Sequence, residues 1–343
     1  MKIGILTGGG DCPGLNPTIR GVVMKGLDYG FEIYGIREGW RGLVQDIVDD
    51  KPLGVGDVEE IISWGGTMLR SSRTNPFKVP AELAAVKETI KRRKFDCIVA
   101  LGGEDTLGVA SKLWKEGIPT VGVPKTMDND LSETDYTFGF DTSVGVNVDA
   151  VDRLRDTAKS HMRVIVLEVM GRHAGWVALN TGFAGGADWI LLPEVKADYA
   201  EMCEHLKVAY ARKKYAIVVA SEGTELPGVD ESTAPKDSFG HAILGDRRVG
   251  ETVAAEIEKR TGFETRAAVT GHIQRGGKPT AFDRVLASRL GMRAAQCAYE
   301  KDFGKMVALR GTDIVVADID KATSVLKTVP LELYAEAKAL FSK

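Results

Sequence analysis

Four acidic side chains and one lysine lie close together in the sequence: Glu104, Asp105, Lys125, Asp128 and Asp130. Side chains of these types can hold Mg²⁺ and phosphate, because Mg²⁺ is commonly bound by one or two carboxylates together with substrate phosphates. A carboxylate such as Asp128 can also act as a general base when it lies within hydrogen-bonding distance of the proton that it removes. We therefore interpret this segment as a phosphoryl-transfer site.

The elements that would position these residues form one βαβ unit. Residues 97–101 are a short apolar run that ends at Gly102 and Gly103, which predicts a buried strand. Residues 104–116 have helical apolar spacing, and residues 120–123 form a second apolar run. A right-handed crossover makes the two strands parallel, so both carboxyl ends lie at one edge of the sheet. In open α/β sheets this edge is where ligands bind.

Each of these acids also has a purely structural explanation. Glu104 and Asp105 would interact favourably with the helix dipole, and Asp128 and Asp130 are common turn residues. A helix N-terminus after two glycines favours phosphate, yet two carboxylates there repel it unless a divalent cation or Lys125 lies between. The joint occurrence of the acids with Lys125 at one sheet edge is what favours phosphoryl transfer.

Several other predicted strands are followed by glycine-rich or charged segments. Strands predicted at 2–7, 164–169, 215–220 and 266–269 precede the sequences GGGDCPG, MGRH, SEG and GHIQRGG. A separate loop, LRSSRT, contains two arginines; an exposed loop of this kind can offer arginine to a phosphate, although it is more often simply a solvated loop. Because helical segments separate the strands along the chain, the fold class is α/β.

Composition narrows the class of protein further. A chain of 343 residues suggests about two domains. A net charge of −3 argues against a nucleic-acid partner, and the sequence has no apolar run long enough to span a membrane. The four widely spaced cysteines fit a reducing compartment, and the N-terminus is too rich in glycine for a signal peptide. We expect a cytoplasmic protein that binds neither nucleic acid nor membrane.

Five motifs together carry a family resemblance: GGGDCPGLN, GGEDT, PKTMDND, MGRHAGW and GHIQRGG. In this order they closely resemble the 6-phosphofructokinase family, in particular its pyrophosphate-dependent type. The resemblance implies two similar three-layer α/β domains with mainly parallel sheets and an active site in the cleft between them. It implies a donor (pyrophosphate and Mg²⁺) domain at 1–139 plus 275–328 and a fructose 6-phosphate domain at 140–274 plus 329–343. It also implies a homo-oligomer, a dimer or a tetramer, with shared active sites.

The resemblance assigns a role to each matching residue. Asp128 would take the proton from the sugar 1-hydroxyl, Glu104 would hold Mg²⁺, and Gly10 would contact the donor phosphates together with Asp105 and Lys125. The other implied catalytic residues are Lys125, Arg73, Thr126 and Asp130. The implied fructose 6-phosphate ligands are Thr126, Asp128, Asp130, Met170, Gly171, Arg172, Glu222, His272 and Arg275, with Arg163 and Arg266 from a neighbouring subunit.

Two positions bear on the phosphoryl donor. ATP-dependent members of the family usually have glycine where this chain has Asp105 and Lys125, and glycine there lets a nucleotide pass close to the backbone. Asp105 would fill that space, and Lys125 would neutralise a phosphate of pyrophosphate. The alternatives are the same reaction with ATP and, from another class, a sugar-phosphate sensor without catalysis. Glu104 stands where the family usually has Asp, and Met127 where it usually has Ile, which leaves the metal geometry open.

Overall fold

The computed structural model describes residues 1–227 and 248–341. Within them the chain forms two compact units. Unit 1 comprises 1–127, 131–142 and 275–326, and unit 2 comprises 128–130, 143–274 and the chain from 327 onwards. The sequence placed Asp128 and Asp130 with the donor-binding segment, whereas the contacts of the backbone group them with unit 2.

The strands of the described residues, in chain order, are β1 Lys2–Thr7, β2 Glu32–Ile36, β3 Cys97–Gly102, β4 Thr120–Pro124, β5 Val164–Val169, β6 Trp189–Leu191, β7 Ala216–Ser221, β8 Thr265–Val269, β9 Lys305–Arg310 and β10 Asp313–Asp318. The α-helices are α1 Leu15–Asp28, α2 Trp40–Val44, α3 Val55–Val58, α4 Pro80–Arg93, α5 Glu104–Lys115, α6 Phe140–His161, α7 Trp176–Gly185, α8 Tyr199–Lys213, α9 Val249–Thr261, α10 Ala281–Glu300, α11 Ile319–Ser324 and α12 Leu331–Ala339.

Unit 1 contains a six-stranded sheet in the order β10-β9-β4-β3-β1-β2. Its strands are parallel except for the antiparallel pair β9 and β10. Every residue of β3 and β4 is buried. A parallel strand covered on both faces needs a continuous apolar run, which is why the sequence marked these two strands so clearly.

Unit 2 contains a four-stranded sheet in the order β6-β7-β5-β8, and all its strands are parallel. The α/β class and the mainly parallel sheets predicted from the sequence are therefore confirmed. The composition of residues 224–240, rich in proline, glycine and acids, predicts a surface loop, and part of this segment lies outside the described residues.

Helices α1 and α10 pack against each other in unit 1 through glycine. A Cβ atom at Gly21 would lie 2.6 Å from the carbonyl oxygen of Ser288, and a Cβ at Gly291 would collide with the carbonyl oxygen of Thr18. The two backbones can approach this closely only because neither residue has a side chain.

One prediction about the C-terminal segment is wrong. The sequence pattern placed Leu340 on the inner face of a helix at 330–343, but the described helix ends at Ala339 and Leu340 is 68% exposed. Tyr334 and Ala337 are buried, as that pattern predicted.

Among the described residues, none of the helices combines the length and the apolar character needed to cross a bilayer.

Candidate active site

The first cluster of predicted site residues lies at one edge of the sheet of unit 1. The parallel register pairs Thr7 with Leu101 and Gly102 with Pro124, so β1, β3 and β4 end side by side. The segments that follow these strands are the glycine loop at 8–10, the start of α5 and Lys125. The predicted βαβ unit and its shared carboxyl edge are confirmed.

The glycine loop is held by backbone hydrogen bonds, and neighbouring side chains leave no room for a Cβ atom at Gly8. A Cβ atom at Gly8 would lie 2.5 Å from the Thr106 hydroxyl, and one at Gly102 would also collide with Thr106. The Gly8 N–H donates to the Leu101 carbonyl at 2.9 Å, and the Gly9 N–H donates to the Ser72 carbonyl at 3.1 Å. These contacts tie the glycine loop to the sheet and to the loop that carries Arg73.

Two cations lie against the glycine loop. Lys125 is only 4% exposed, and its Nζ donates to the Gly10 carbonyl at 2.5 Å. The Arg275 Nη1 donates to the Asp11 carbonyl at 3.2 Å, and a Cβ atom at Gly10 would lie 2.6 Å from this nitrogen. The resemblance assigned Arg275 to the sugar phosphate, and in unit 1 its guanidinium lies beside the loop assigned to the donor.

The thiol of Cys12, at the end of this loop, stays protonated despite the cations. Burial raises its pKa to about 12, and the positive charges of Lys125 and Arg275 only partly oppose this effect. Because a reactive cysteine needs a depressed pKa, Cys12 is a packing residue. Its Sγ donates to the Phe138 carbonyl at 3.5 Å.

Helix α5 begins with the two predicted acids. Gly103 is its N-cap, and Glu104 and Asp105 occupy its first turn, where Glu104 is exposed and Asp105 half-buried. Within the described parts of the chain, no three His, Cys, Asp or Glu side chains are grouped closely enough to hold a metal by themselves. A metal here would therefore need further oxygen ligands, such as those of a bound phosphate, besides the acids of α5.

The second cluster lies at one edge of the sheet of unit 2. The register pairs Val169 with Ser221 and Glu168 with Val269, so β5, β7 and β8 end side by side. Three segments follow these ends, and they contain the predicted residues Met170, Gly171, Arg172, Glu222 and His272. The structure therefore brings these five positions to one sheet edge.

Glu222 is an acid at this edge whose pKa is raised by its environment. Burial raises the pKa of its carboxyl above the ordinary value, and the negative charge of Asp128 raises it further. A hydrogen bond from the Gly171 backbone and the charge of Arg172 oppose the rise. Asp128, Arg172 and Glu222 thus form one electrostatic group within unit 2.

Gln274 holds two of these segments together, and the sequence analysis did not single it out. Its side chain is fully buried, and its Oε1 accepts hydrogen bonds from Asn147 Nδ2 at 2.6 Å and from the Met170 N–H at 3.3 Å. Its Nε2 donates to the Gly271 carbonyl at 3.1 Å. The only sequence signal for this role is the position of Gln274 between His272 and Arg275 in the motif GHIQRGG.

Arg163 and Arg266 also lie in unit 2, where they share one carboxylate. Arg163 Nη2 lies 2.8 Å and Arg266 Nη2 2.6 Å from Glu264 Oε1. These contacts lower the pKa of the Glu264 carboxyl, with the Arg163 hydrogen bond as the largest cause. The Arg266 side chain is 55% exposed, so its guanidinium can be reached from outside the chain.

Parallel strands that end in a glycine loop, a buried lysine and grouped acids are the arrangement of an α/β enzyme that handles phosphorylated ligands. The model of the phosphofructokinase family matches residues 2–298, and the chain belongs to this family.

Individual relatives agree with this assignment. The chain is 53% identical to the pyrophosphate–fructose 6-phosphate 1-phosphotransferase of Amycolatopsis methanolica, over 99% of this chain and 100% of that protein. It is 45% identical to ATP-dependent 6-phosphofructokinase 2 of Streptomyces coelicolor, with the same coverage. The crystal structure of pyrophosphate-dependent phosphofructokinase from Nitrosospira multiformis has the same fold, with a TM-score of 0.84 at 22% identity over 100% of this chain and 92% of that one.

Proposed function

We propose that the protein transfers a phosphoryl group from pyrophosphate to the 1-hydroxyl of fructose 6-phosphate, giving fructose 1,6-bisphosphate and phosphate. The observation that carries this proposal is the buried ammonium group of Lys125 against the Gly10 carbonyl. Relatives named for pyrophosphate share 50–53% of their residues with this chain, and the ATP-dependent relatives 44–45%. Because pyrophosphate and the sugar bisphosphate differ little in transfer potential, the reaction is readily reversible.

The donor argument starts from charge. A phosphate of pyrophosphate would form charge-assisted hydrogen bonds with the buried ammonium group of Lys125. Arg275 lies on the other side of Gly10, so two cations are available to the same loop. Asp105, half-buried in the first turn of α5, would occupy space that a nucleotide needs.

The acids of α5 fit a divalent cation, for which we propose Mg²⁺. Glu104 would be the protein ligand with Asp105 beside it, and donor phosphates would complete the set, as is usual for Mg²⁺ at phosphoryl-transfer sites. The ion, when bound, would neutralise charge that develops on the transferred group. Glu104 is exposed, so its carboxylate can reach a bound ligand without burial of an unpaired charge.

Asp128 would act as the general base. The proton of the sugar 1-hydroxyl passes to the Asp128 carboxylate, the hydroxyl oxygen forms a bond to phosphorus, and the bond to the leaving phosphate breaks. Thr126 and Asp130 flank this residue, and Arg73 would stabilise charge on the transferred group. Lys125 would stabilise the leaving phosphate.

The remaining predicted residues would bind fructose 6-phosphate. Met170, Gly171 and Arg172 follow β5, Glu222 follows β7 and His272 follows β8, which gives the sugar contacts from three neighbouring strand ends. Arg163 and Arg266 would reach the 6-phosphate of a neighbouring subunit, so we propose a homo-oligomer with shared active sites. We also place the enzyme in the cytoplasm, because its four cysteines are free and buried.

The deciding experiment measures initial rates with fructose 6-phosphate and Mg²⁺, and with pyrophosphate or ATP as the only donor. We expect a specificity constant for pyrophosphate at least about 100-fold above that for ATP, since one buried charge pair accounts for about this factor. The double variant Asp105→Gly, Lys125→Gly should lose most of this preference. Lys115→Gly is the matched control, because Lys115 lies on the same helix as Asp105 but at its other end, where it pairs with Asp320 at 2.7 Å.

Three outcomes would contradict the proposal or a part of it. A wild-type preference for ATP that the double variant leaves unchanged would identify an ATP-dependent enzyme and would show that Asp105 and Lys125 do not select the donor. Binding of fructose 6-phosphate without turnover, with metal and either donor present, would identify a sugar-phosphate sensor. Failure to form pyrophosphate from phosphate and fructose 1,6-bisphosphate would refute the predicted reversibility.

A further inference from the structure

The turn that carries the proposed base has an unusual backbone conformation. Asn129, between Asp128 and Asp130, has a φ angle of 52° and is only 2% exposed. This left-handed conformation is uncommon for residues other than glycine, although asparagine tolerates it better than most. The left-handed conformation of Asn129 changes the direction of the backbone between Asp128 and Asp130, and so contributes to the placement of Asp128.

Lys327 contacts this turn twice. Its Nζ donates to Asn129 Oδ1 at 3.1 Å, and its backbone N–H donates to the Asp130 carbonyl at 2.9 Å. One residue, almost 200 positions away in the sequence, therefore contacts both the side chain of the turn and the backbone just after it. All of these residues belong to unit 2.

Lys327 is itself held by Trp176. The Trp176 Nε1 donates to the Lys327 carbonyl at 2.8 Å, and the Lys327 Nζ lies 5.3 Å from the centroid of the Trp176 ring. A cation over an aromatic face is attracted to it, so the ring restrains the ammonium group as well as the backbone.

The segment after Lys327 has a second anchor. Glu194 Oε1 accepts hydrogen bonds from the Val329 N–H at 2.8 Å and from the Gly175 N–H at 2.9 Å. Gly175 immediately precedes Trp176, so the same carboxylate fixes the start of α7 and the segment that contains Lys327. The position of Lys327 is therefore set by contacts that do not involve the turn.

We propose that Lys327 is a positioning residue for the reaction. It fixes the left-handed turn at Asn129, and through this turn the direction of Asp128, while Trp176 holds Lys327 in place. This inference rests on the proposed role of Asp128 as the base. Lys327 acts through Asn129, so its loss should lower kcat more than it changes the KM of either substrate.

The test compares Lys327→Met with Lys327→Arg and Trp176→Phe in the full-length protein. Lys327→Met removes the donor and the charge but keeps most of the side-chain volume, and we expect kcat to fall about 10- to 100-fold, the cost of a small misplacement of a catalytic group. The KM values for fructose 6-phosphate and pyrophosphate should stay within about threefold, since no substrate contact is removed. Lys327→Arg should recover much of kcat, and Trp176→Phe should show a smaller loss of the same kind.

Lys338→Met is the matched control. The Lys338 Nζ lies 4.9 Å from the centroid of Trp189 and pairs with Glu201 at 2.6 Å, also in unit 2. This control removes a similar lysine–tryptophan contact away from the turn and should leave kcat unchanged. Hydrogen exchange of the peptide around residues 126–131 gives a second readout, and it should accelerate in Lys327→Met but not in Lys338→Met.

The outcomes separate this inference from the proposed function. Unchanged kcat and unchanged exchange in Lys327→Met would overturn it, and so would a rise in KM with kcat preserved, which would make Lys327 a substrate ligand. If Lys327→Met does not fold, the same criteria apply to Trp176→Phe. A wild-type protein that is inactive with pyrophosphate would refute the proposed function, and accelerated exchange in the variant would still support the positioning of the turn.

Discussion

The two units carry different charges at equivalent places in their folds. In both, the candidate residues follow the carboxyl ends of parallel strands. In unit 1 the most buried charged side chain at this edge is Lys125, which lies against a glycine loop together with Arg275. In unit 2 the corresponding edge holds Glu222, whose pKa is raised by burial and by the charge of Asp128.

This difference corresponds to the chemistry of the two proposed substrates. The donor, pyrophosphate, carries several negative charges and has no hydroxyl group to be recognised, so a buried cation and open backbone suit it. The proposed acceptor, fructose 6-phosphate, also carries a phosphate, but its sugar hydroxyls need hydrogen-bond acceptors and one base to remove a proton. Parallel strand ends thus suit both proposed ligands, because the side chains that follow these ends differ between the two units.

The largest expected effect comes from removing the proposed base, Asp128, in unit 2. We expect Asp128→Asn to lower kcat about 1,000-fold, because general base catalysis typically contributes 10²- to 10⁴-fold. The KM values should change little, since the amide keeps the size of the side chain and its ability to accept a hydrogen bond. Steady-state kinetics in the direction of fructose 1,6-bisphosphate would measure both quantities.

Asp149→Asn is the control for this variant. Asp149 pairs with Arg153 on the exposed surface of α6 in unit 2. The control variant therefore removes an acid of the same type that lies away from the strand ends. If Asp128→Asn retained more than about a tenth of kcat, the proposed role would be contradicted, because the loss of a general base lowers kcat by more than about tenfold.

Much of the fold could be predicted because the strands that carry the site are short apolar runs bounded by glycine. The predicted bounds of β1 and β5 agree with the structure, and the predicted helix at 104–116 is found at Glu104–Lys115. Helix α7 was missed because eight of its ten residues are apolar or glycine, which leaves no polar face to give it a helical period. The antiparallel strands β9 and β10 were also missed, and they carry no motif.

The site was predictable only where residues belong to motifs adjacent to strand ends. The contacts of Lys125 with Gly10 and of Arg275 with Asp11 join residues more than 100 positions apart, and sequence spacing does not define such pairs. Lys327 lies in a segment with no motif at all. Its contact with Asn129 depends on how α7 and the C-terminal segment pack, which is a tertiary property that a local pattern does not contain.

The second largest expected effect is on stability. It comes from a buried acid that lies away from the carboxyl edges of both sheets. Asp283, in the first turn of α10 in unit 1, is fully buried, and its Oδ2 accepts hydrogen bonds from the Thr142 N–H at 2.9 Å and the Thr142 hydroxyl at 2.5 Å. Burial raises its pKa from 3.8 to about 6, against the effect of these hydrogen bonds. This difference corresponds to ~3 kcal/mol of folding free energy.

The sign follows from proton binding. Between pH 4 and 6 the folded protein binds more protons at Asp283 than the unfolded chain does, so this group makes the protein less stable as the pH rises through that range. The wild type should therefore lose stability relative to Asp283→Asn from pH 4 to 7, as melting temperatures would show. Asp57→Asn, at another helix N-terminus in unit 1, is the control for the loss of such a carboxylate. A difference in melting temperature between the wild type and Asp283→Asn that stays constant from pH 4 to 7 would contradict the prediction. The activity of Asp283→Asn at pH 7 should be preserved.

Glu222→Gln tests whether the half-buried acid at the edge of unit 2 differs from Asp283 in having a role in binding. We expect the KM for fructose 6-phosphate to rise about three- to tenfold with little change in kcat, the effect of weakening one hydrogen bond. Glu204→Gln is the control, because Glu204 pairs with Lys207 on the surface of unit 2. A loss of kcat as large as that of Asp128→Asn would make Glu222 part of the proton transfer.

The pH dependence of stability provides an independent check on the same variant. Because the pKa of Glu222 is raised above 4.5, chiefly by burial and then by Asp128, its ionisation destabilises the folded state. Its contribution to stability is fully present below the unfolded-state pKa and is lost as the pH rises through the folded-state value. The wild type should thus lose stability relative to Glu222→Gln over that range. Since the Asp128 charge is the second cause of the raised pKa, Asp128→Asn should reduce this loss, whereas Asp149→Asn should not.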